Sequence, residues 1–271
     1  MPPVAAAVLP HPPLLLRELA GGAAAELDPL RSACRAALAA VLAVADLTVV
    51  VGDGPVWGVP DPGATGSFRP YGADVEVELP GLAALDLDGL PEPARLSSLP
   101  LSLAVAASLL ADLDPGPPHL FAATVPASLG PAAAASVGHT LAASAARSAG
   151  QDQGGRRVGL VAMGDLSASR SELAPGAFRQ EAARFDASVA QAFRDGAPAR
   201  LLELDPRHST ELRAAGRVPL QVLAGAFGPG PAPSGQDTAG ASGQGPGPRG
   251  RVLYEDAPYG VGYLVALLTA T

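Results

Sequence analysis

The chain reads as an α/β protein, a single domain in which a mixed, mostly parallel β-sheet lies between helices. Three observations predict it. Apolar runs at 4–9, 47–51 and 157–163 are short and nearly unbroken, the pattern of strands covered on both faces. Alanine-rich stretches between them carry apolar residues at helical spacing, with Leu27, Leu30, Cys34, Leu38 and Val41 three or four apart. At 271 residues and 48% hydrophobic, the chain can build one large core, and no composition change demands a second domain within 1–271.

Taken in order, 4–9 is a strand that Pro10, Pro12 and Pro13 forbid to continue. A short turn or helix at 14–19 and a long helix at 23–44 lead to the second strand at 47–51, a βαβ opening. Residues 54–73, rich in Gly, Pro and Asp and holding the one tryptophan, Trp57, read as a long loop over the sheet's carboxyl edge. Alternating apolar and acidic residues at 74–79 suggest an edge strand, and 99–113 a helix halted by Asp114-Pro115-Gly116-Pro117. A strand at 119–125, a helix at 131–149 and a strand at 157–163 follow. The segments 175–195 and 198–204 continue the alternation, with short helices at 209–215 and 219–227. Residues 228–250 are almost all Gly, Pro, Ala, Ser, Gln and Asp, a composition expected to stay disordered as a surface insertion. Strands at 251–255 and 260–271 close the chain.

Composition excludes several function classes. Lysine is absent, so all 18 basic residues are scattered arginines on a chain of net charge −8, without the basic stripe that a phosphate backbone requires. Nucleic acid is therefore not an expected partner. The lone cysteine, Cys34, forms no intramolecular disulfide, and no apolar run reaches the ~18–20 residues that span a bilayer. With no basic leader before an apolar segment, a cytoplasmic location is expected, and a membrane is not an expected partner.

The chemistry-bearing residues collect where strands end. His11 follows the first strand, Asp53 lies in Gly52-Asp53-Gly54 after the second, and Asp165 and Ser167 lie in Gly164-Asp165-Leu166-Ser167. Glu255 and Asp256 follow Tyr254. In α/β sheets this edge carries active sites. An imidazole on a rigid strand end can ligate a divalent transition metal, with Asp53, Asp165, Glu255 or Asp256 as oxygen donors. Each carboxylate equally suits a turn or an Asx cap. A Ser167–His11 acyl-transfer pair is disfavoured because Gly164-Asp165-Leu166-Ser167-Ala168 is not a nucleophile elbow. His119 falls at the opposite edge, His139 inside a helix, and His208 in a loop or helix N-terminus.

Pro10-His11-Pro12-Pro13, Val49-Val50-Val51-Gly52, Gly164-Asp165-Leu166-Ser167 and the closing Tyr254-Glu255-Asp256-Ala257-Pro258-Tyr259-Gly260-Val261-Gly262-Tyr263 resemble the class III extradiol ring-cleavage dioxygenases. The likeness is to the catalytic-subunit-B, or LigB-like, superfamily, which includes the Memo-type proteins. It spans nearly the whole chain outside 228–250. It implies a non-haem Fe(II) on two histidines and a glutamate, a further acid/base histidine, and oxidative opening of a catecholic ring. His11 matches the first metal ligand and Glu255 the carboxylate. Asp53 stands where the second histidine would be, and Ala168 where the acid/base histidine would be. The implied site is then His11, Asp53 and Glu255 around the metal, with Asp165 and Ser167 as catalytic groups. Fe(II) is the expected cofactor, with Zn, Mn or no metal as alternatives. The expected partner is a small aromatic substrate or ligand, a homo-oligomer being open. The alternative function is a non-catalytic relative that keeps the pocket for binding.

Overall fold

The computed structural model describes residues 2–113, 119–148, 155–228 and 247–271. One mixed sheet carries the fold. Its order is β4-β3-β6-β2-β7-β1-β9-β8, with β5 pairing on β3. The strands are β1 (Ala5–Leu9), β2 (Leu47–Asp53), β3 (Gly58–Ser67), β4 (Glu76–Glu78), β5 (Ala94–Ser98), β6 (Leu120–Val125), β7 (Val158–Met163), β8 (Arg249–Asp256) and β9 (Tyr263–Thr269). The centre, β6-β2-β7-β1, is all parallel. β9 runs antiparallel to β1, and β8 antiparallel to β9. The expected mixed, mostly parallel α/β fold is thus what the chain forms.

The helices are α1 (Arg17–Ala20), α2 (Asp28–Leu42), α3 (Leu101–Ala111), α4 (Pro131–Arg147), α5 (Ala182–Arg194), α6 (Pro206–Glu211) and α7 (Arg217–Phe227). One face of the sheet packs Ala5, Ala7 and Leu9 against Leu30, Cys34, Leu38 and Val41 of α2 and Leu103 of α3. The other packs Ala6 and Val8 against α5 and α7, and Val49 and Val51 against α4 and α7. Alternate strand residues enter opposite cores, which is why these strands show no polar face. α4 and α7 approach backbone to backbone: a Cβ on Gly138 would lie 1.9 Å from the Val222 carbonyl oxygen, and one on Gly225 2.2 Å from that of Ala135.

Three boundaries differ from expectation, each for a physical reason. The helix expected at 23–44 begins at Asp28, with Pro29 in its first turn, where a missing N–H breaks no intrahelical bond; Gly21–Leu27 is 3-10 instead. The loop expected at 54–73 contains β3, and β5 forms where no strand is expected. β3 keeps its prolines because its register shifts between Pro60 and Thr65, where Pro62 and Gly63 (φ +79°) fall, and its pairing with β6 is confined to Gly58. At the chain's end β8 begins at Arg249, inside the expected insertion; the rest of that insertion lies mostly outside the described residues, as do the residues expected to halt α3. Among the described residues, no helix is long and apolar enough to cross a membrane.

Candidate functional site

In the order β2-β7-β1, three adjacent parallel strands end at the same edge, so the residues just past them must meet. They are Asp53, Asp165 and His11. His11 Nε2 lies 3.2 Å from Asp53 Oδ1, and the His11 backbone N–H donates to Asp165 Oδ1 at 2.8 Å. The His11 side chain is 6% exposed and that of Asp53 35%, so the carboxylate faces outward and the imidazole lies behind it. His11 Nδ1 is buried without a hydrogen-bond partner.

Each member is held by backbone. The chain before and after His11 is fixed by proline, and Gly164 N–H donates to Leu9 O at 2.8 Å, extending the β1–β7 pairing to the site. Asp53 closes β2; its carbonyl accepts Ser102 Oγ–H from α3 at 2.6 Å, and the next amide, Gly54, donates to Val125 O. Gly52 is required here, since a Cβ would fall 2.2 Å from Ser102 Oγ. Asp165 is seated by a glycine contact: a Cβ on Gly164 would lie 2.4 Å from Gly216 Cα, and Gly216 N–H donates to Asp165 O at 2.8 Å. Burial pushes the Asp165 carboxyl above the usual carboxylate range; His11 opposes this, and Asp53 adds to it.

The other expected residues go elsewhere. Glu255 lies in register with Leu264, two strands from β1, on the face covered by α5, where it pairs with Arg194. Asp256 accepts the Ala257 N–H at 2.7 Å, a turn role. Ser167 is fully buried and donates both N–H and Oγ–H to Asp186, each at 2.9 Å. His119 is exposed before β6, and His139 lies within α4. His208 sits at the α6 N-terminus, its N–H capped by Asp205 and its ring edge-on to Phe185. Among the described residues, no group of three or more His, Cys, Asp or Glu is placed to hold a metal together.

Sequence reasoning missed the tyrosines. Tyr263, buried at the start of β9, and Tyr254 and Tyr259 lie within electrostatic reach of one another, and Asp165 acts on Tyr263. Burial leads in raising all three phenols. Cys34 of α2 backs this region, its thiol pushed up to about 12 by burial, with Arg35 lowering and Asp165 raising it further. The signal was available: three of the four tyrosines fall within the closing motif. An apolar cleft formed by Val59, Leu85 and Phe121 lies three strands from β1 and shares no residue with this cluster.

Fold and site together define an α/β protein with one imidazole and two carboxylates at the carboxyl edge of its sheet. No protein-family model matches the chain, and no curated protein matches it. Among solved structures it is similar to the crystal structure of an uncharacterized protein, JW3007, from Escherichia coli K12. The identity is 16%, the match covers 98% of this chain and 100% of that one, and the TM-score is 0.54. That likeness shows the fold alone.

Proposed function

We propose that this chain is a divergent relative of the class III extradiol ring-cleavage dioxygenases that keeps the strand-end mouth as a binding site for a small aromatic molecule. The observation that carries the reading is the convergence of His11, Asp53 and Asp165 from three adjacent strand ends, at the positions where the resemblance puts the working groups. The buried Tyr263 phenol lies within electrostatic reach of Asp165.

The ferrous centre that the resemblance implies does not fit these residues. A facial triad needs three protein ligands, and Glu255 is committed to Arg194. A metal-bound imidazole also donates its second ring N–H to an acceptor, whereas His11 Nδ1 has none. Ring cleavage is therefore not part of the proposal, and binding is.

The test is metal analysis on protein purified anaerobically without a tag, then Fe(II) titration and catechol calorimetry on wild type and His11→Ala. The expected result is catechol binding weakened in the variant, with no stoichiometric iron, zinc or manganese at micromolar metal. Stoichiometric Fe(II) lost in the variant, with oxygen uptake on catechol, would replace the binding reading by the enzyme reading. Absence of catechol binding in wild type would remove the proposed ligand class.

A further inference from the structure

The resemblance casts His11 as the working group of the mouth and Asp53 as a stand-in for a missing partner. The geometry points to the reverse: we infer that Asp53 is the group that meets the ligand, and that His11 is a positioning residue whose Nε2 lies behind the Asp53 carboxylate in electrostatic contact with it.

Three observations carry this. Exposure is unequal, 35% for the Asp53 side chain against 6% for His11, so a molecule entering the mouth reaches the carboxylate first. Among the described residues, Asp53 Oδ1 has one partner, His11 Nε2 at 3.2 Å, while Oδ2 has no hydrogen-bond partner and remains available to a donor. The Asp53 backbone is also rigid, fixed by the β2 ladder, by Ser102 of α3 and by the steric demand at Gly52, which suits a preorganised acceptor.

The orphaned ring nitrogen favours one tautomer for the contact with Asp53. A neutral imidazole has one N–H and one lone pair. With the proton on Nδ1, a buried N–H would lack an acceptor and the Nε2 lone pair would face a carboxylate oxygen, two penalties at once. With the proton on Nε2, the N–H faces the Asp53 carboxylate at an N···O distance of 3.2 Å, and the orphan is a lone pair, which buried sites tolerate more often than an orphaned N–H. His11 is further held by its backbone bond to Asp165 and by the flanking prolines, so the donor comes from a fixed point. The ligand this arrangement takes is a hydrogen-bond donor. For the small aromatic molecule proposed above, on which this part rests, the contact is a ring hydroxyl donating to Asp53.

Two measurements test it separately from that reading. In the ligand-free wild type, nitrogen-15 NMR of the His11 ring should show Nε2 carrying a proton, and Asp53→Asn should shift that resonance; a bare Nε2 overturns the assignment whatever the ligand is. For catechol, calorimetry should show Asp53→Asn weakening binding about tenfold or more, the scale of a hydrogen bond to a charged group. His11→Gln, which places an amide N–H near the Nε2 position, should retain affinity that His11→Ala loses. Equal affinity in Asp53→Asn and wild type would remove Asp53 from the ligand contact. Failure of wild type to bind catechol would strike the proposed ligand class and leave the NMR result to decide the His11–Asp53 arrangement.

Discussion

Asp186 should be the carboxylate whose loss most damages the fold near the mouth. It is 1% exposed and accepts three hydrogen bonds of 2.9 Å, from Ser167 N–H, Ser167 Oγ–H and Arg170 Nη1. The segment it holds pairs with the β8–β9 turn: Leu166 N–H donates to Gly262 O and Gly262 N–H to Ser167 O. In Asp186→Ala the two Ser167 donors are left in a site that water does not reach, at about 1–3 kcal/mol each. Arg170 is 30% exposed and can turn to solvent, so its bond is discounted. A loss of about 3–5 kcal/mol is expected, in the range for a buried pair broken on one side. Asp186→Asn keeps the volume and one acceptor but turns an amide N–H₂ toward a donor, and should cost about 1–3 kcal/mol. Urea unfolding followed by circular dichroism gives both values, and hydrogen exchange at Ser167 and Gly262 locates the damage. A loss below about 1 kcal/mol in Asp186→Ala, or one no larger than in Asp186→Asn, would refute the reasoning.

Asp165 is raised by burial, so the proton it binds in the fold stabilises the protein at acid pH, and that contribution is lost as pH rises through its folded value. Asp165→Asn keeps an acceptor for the His11 N–H and lacks this dependence. Its melting temperature relative to wild type should therefore climb with pH, and a flat or falling difference would contradict the assignment. Glu255→Ala should cost less than about 1 kcal/mol, as for other surface ion pairs, and leave catechol binding unchanged; loss of binding would return Glu255 to the site. Cys34, fully buried and pushed up to about 12, should resist a disulfide reagent at pH 8 and react with one equivalent only after denaturation. Asp53→His should raise zinc affinity at least tenfold by freeing His11 Nε2 and adding a second imidazole, as read by competition with a chromogenic chelator.

The strand ends were legible because prolines and glycines punctuate them. Pro10-His11-Pro12 and Gly52-Asp53-Gly54 mark where β1 and β2 stop, and the shared direction of parallel strands does the rest. What the pattern could not give was strand order. Only the insertion of β7 between β1 and β2 places Asp165 beside both His11 and Asp53, and that order depends on long-range pairing. Glu255 misled for a related reason. Strand side chains alternate between faces, and the bulge between Val252 and Tyr254, invisible in sequence, helps set which face Glu255 takes. The partner of Ser167 is not legible in the sequence, because Asp186 comes from α5, where a lone carboxylate reads as a solvated residue. β3 is hidden by its own prolines, which a strand with a register shift accommodates.

A single residue type at position 53 accounts for much of the site's divergence under the proposed reading. Replacing an imidazole with a carboxylate there removes one nitrogen donor directly. It also offers His11 Nε2 an acceptor 3.2 Å away, and an Nε2 that carries a proton has no lone pair for a metal. On the proposed reading, a carboxylate at 53 therefore leaves two of the three ligands that the resemblance implies unsuited to a metal. Glu255 is then free to pair with Arg194 on the α5 face. Ala168, in place of the acid/base histidine, follows the same logic, since a base is of use only where a substrate is to be deprotonated for reaction. On the proposed reading, the residues at 53, 168 and 255 together leave a preorganised acceptor, Asp53, at the position where the resemblance implies a metal centre.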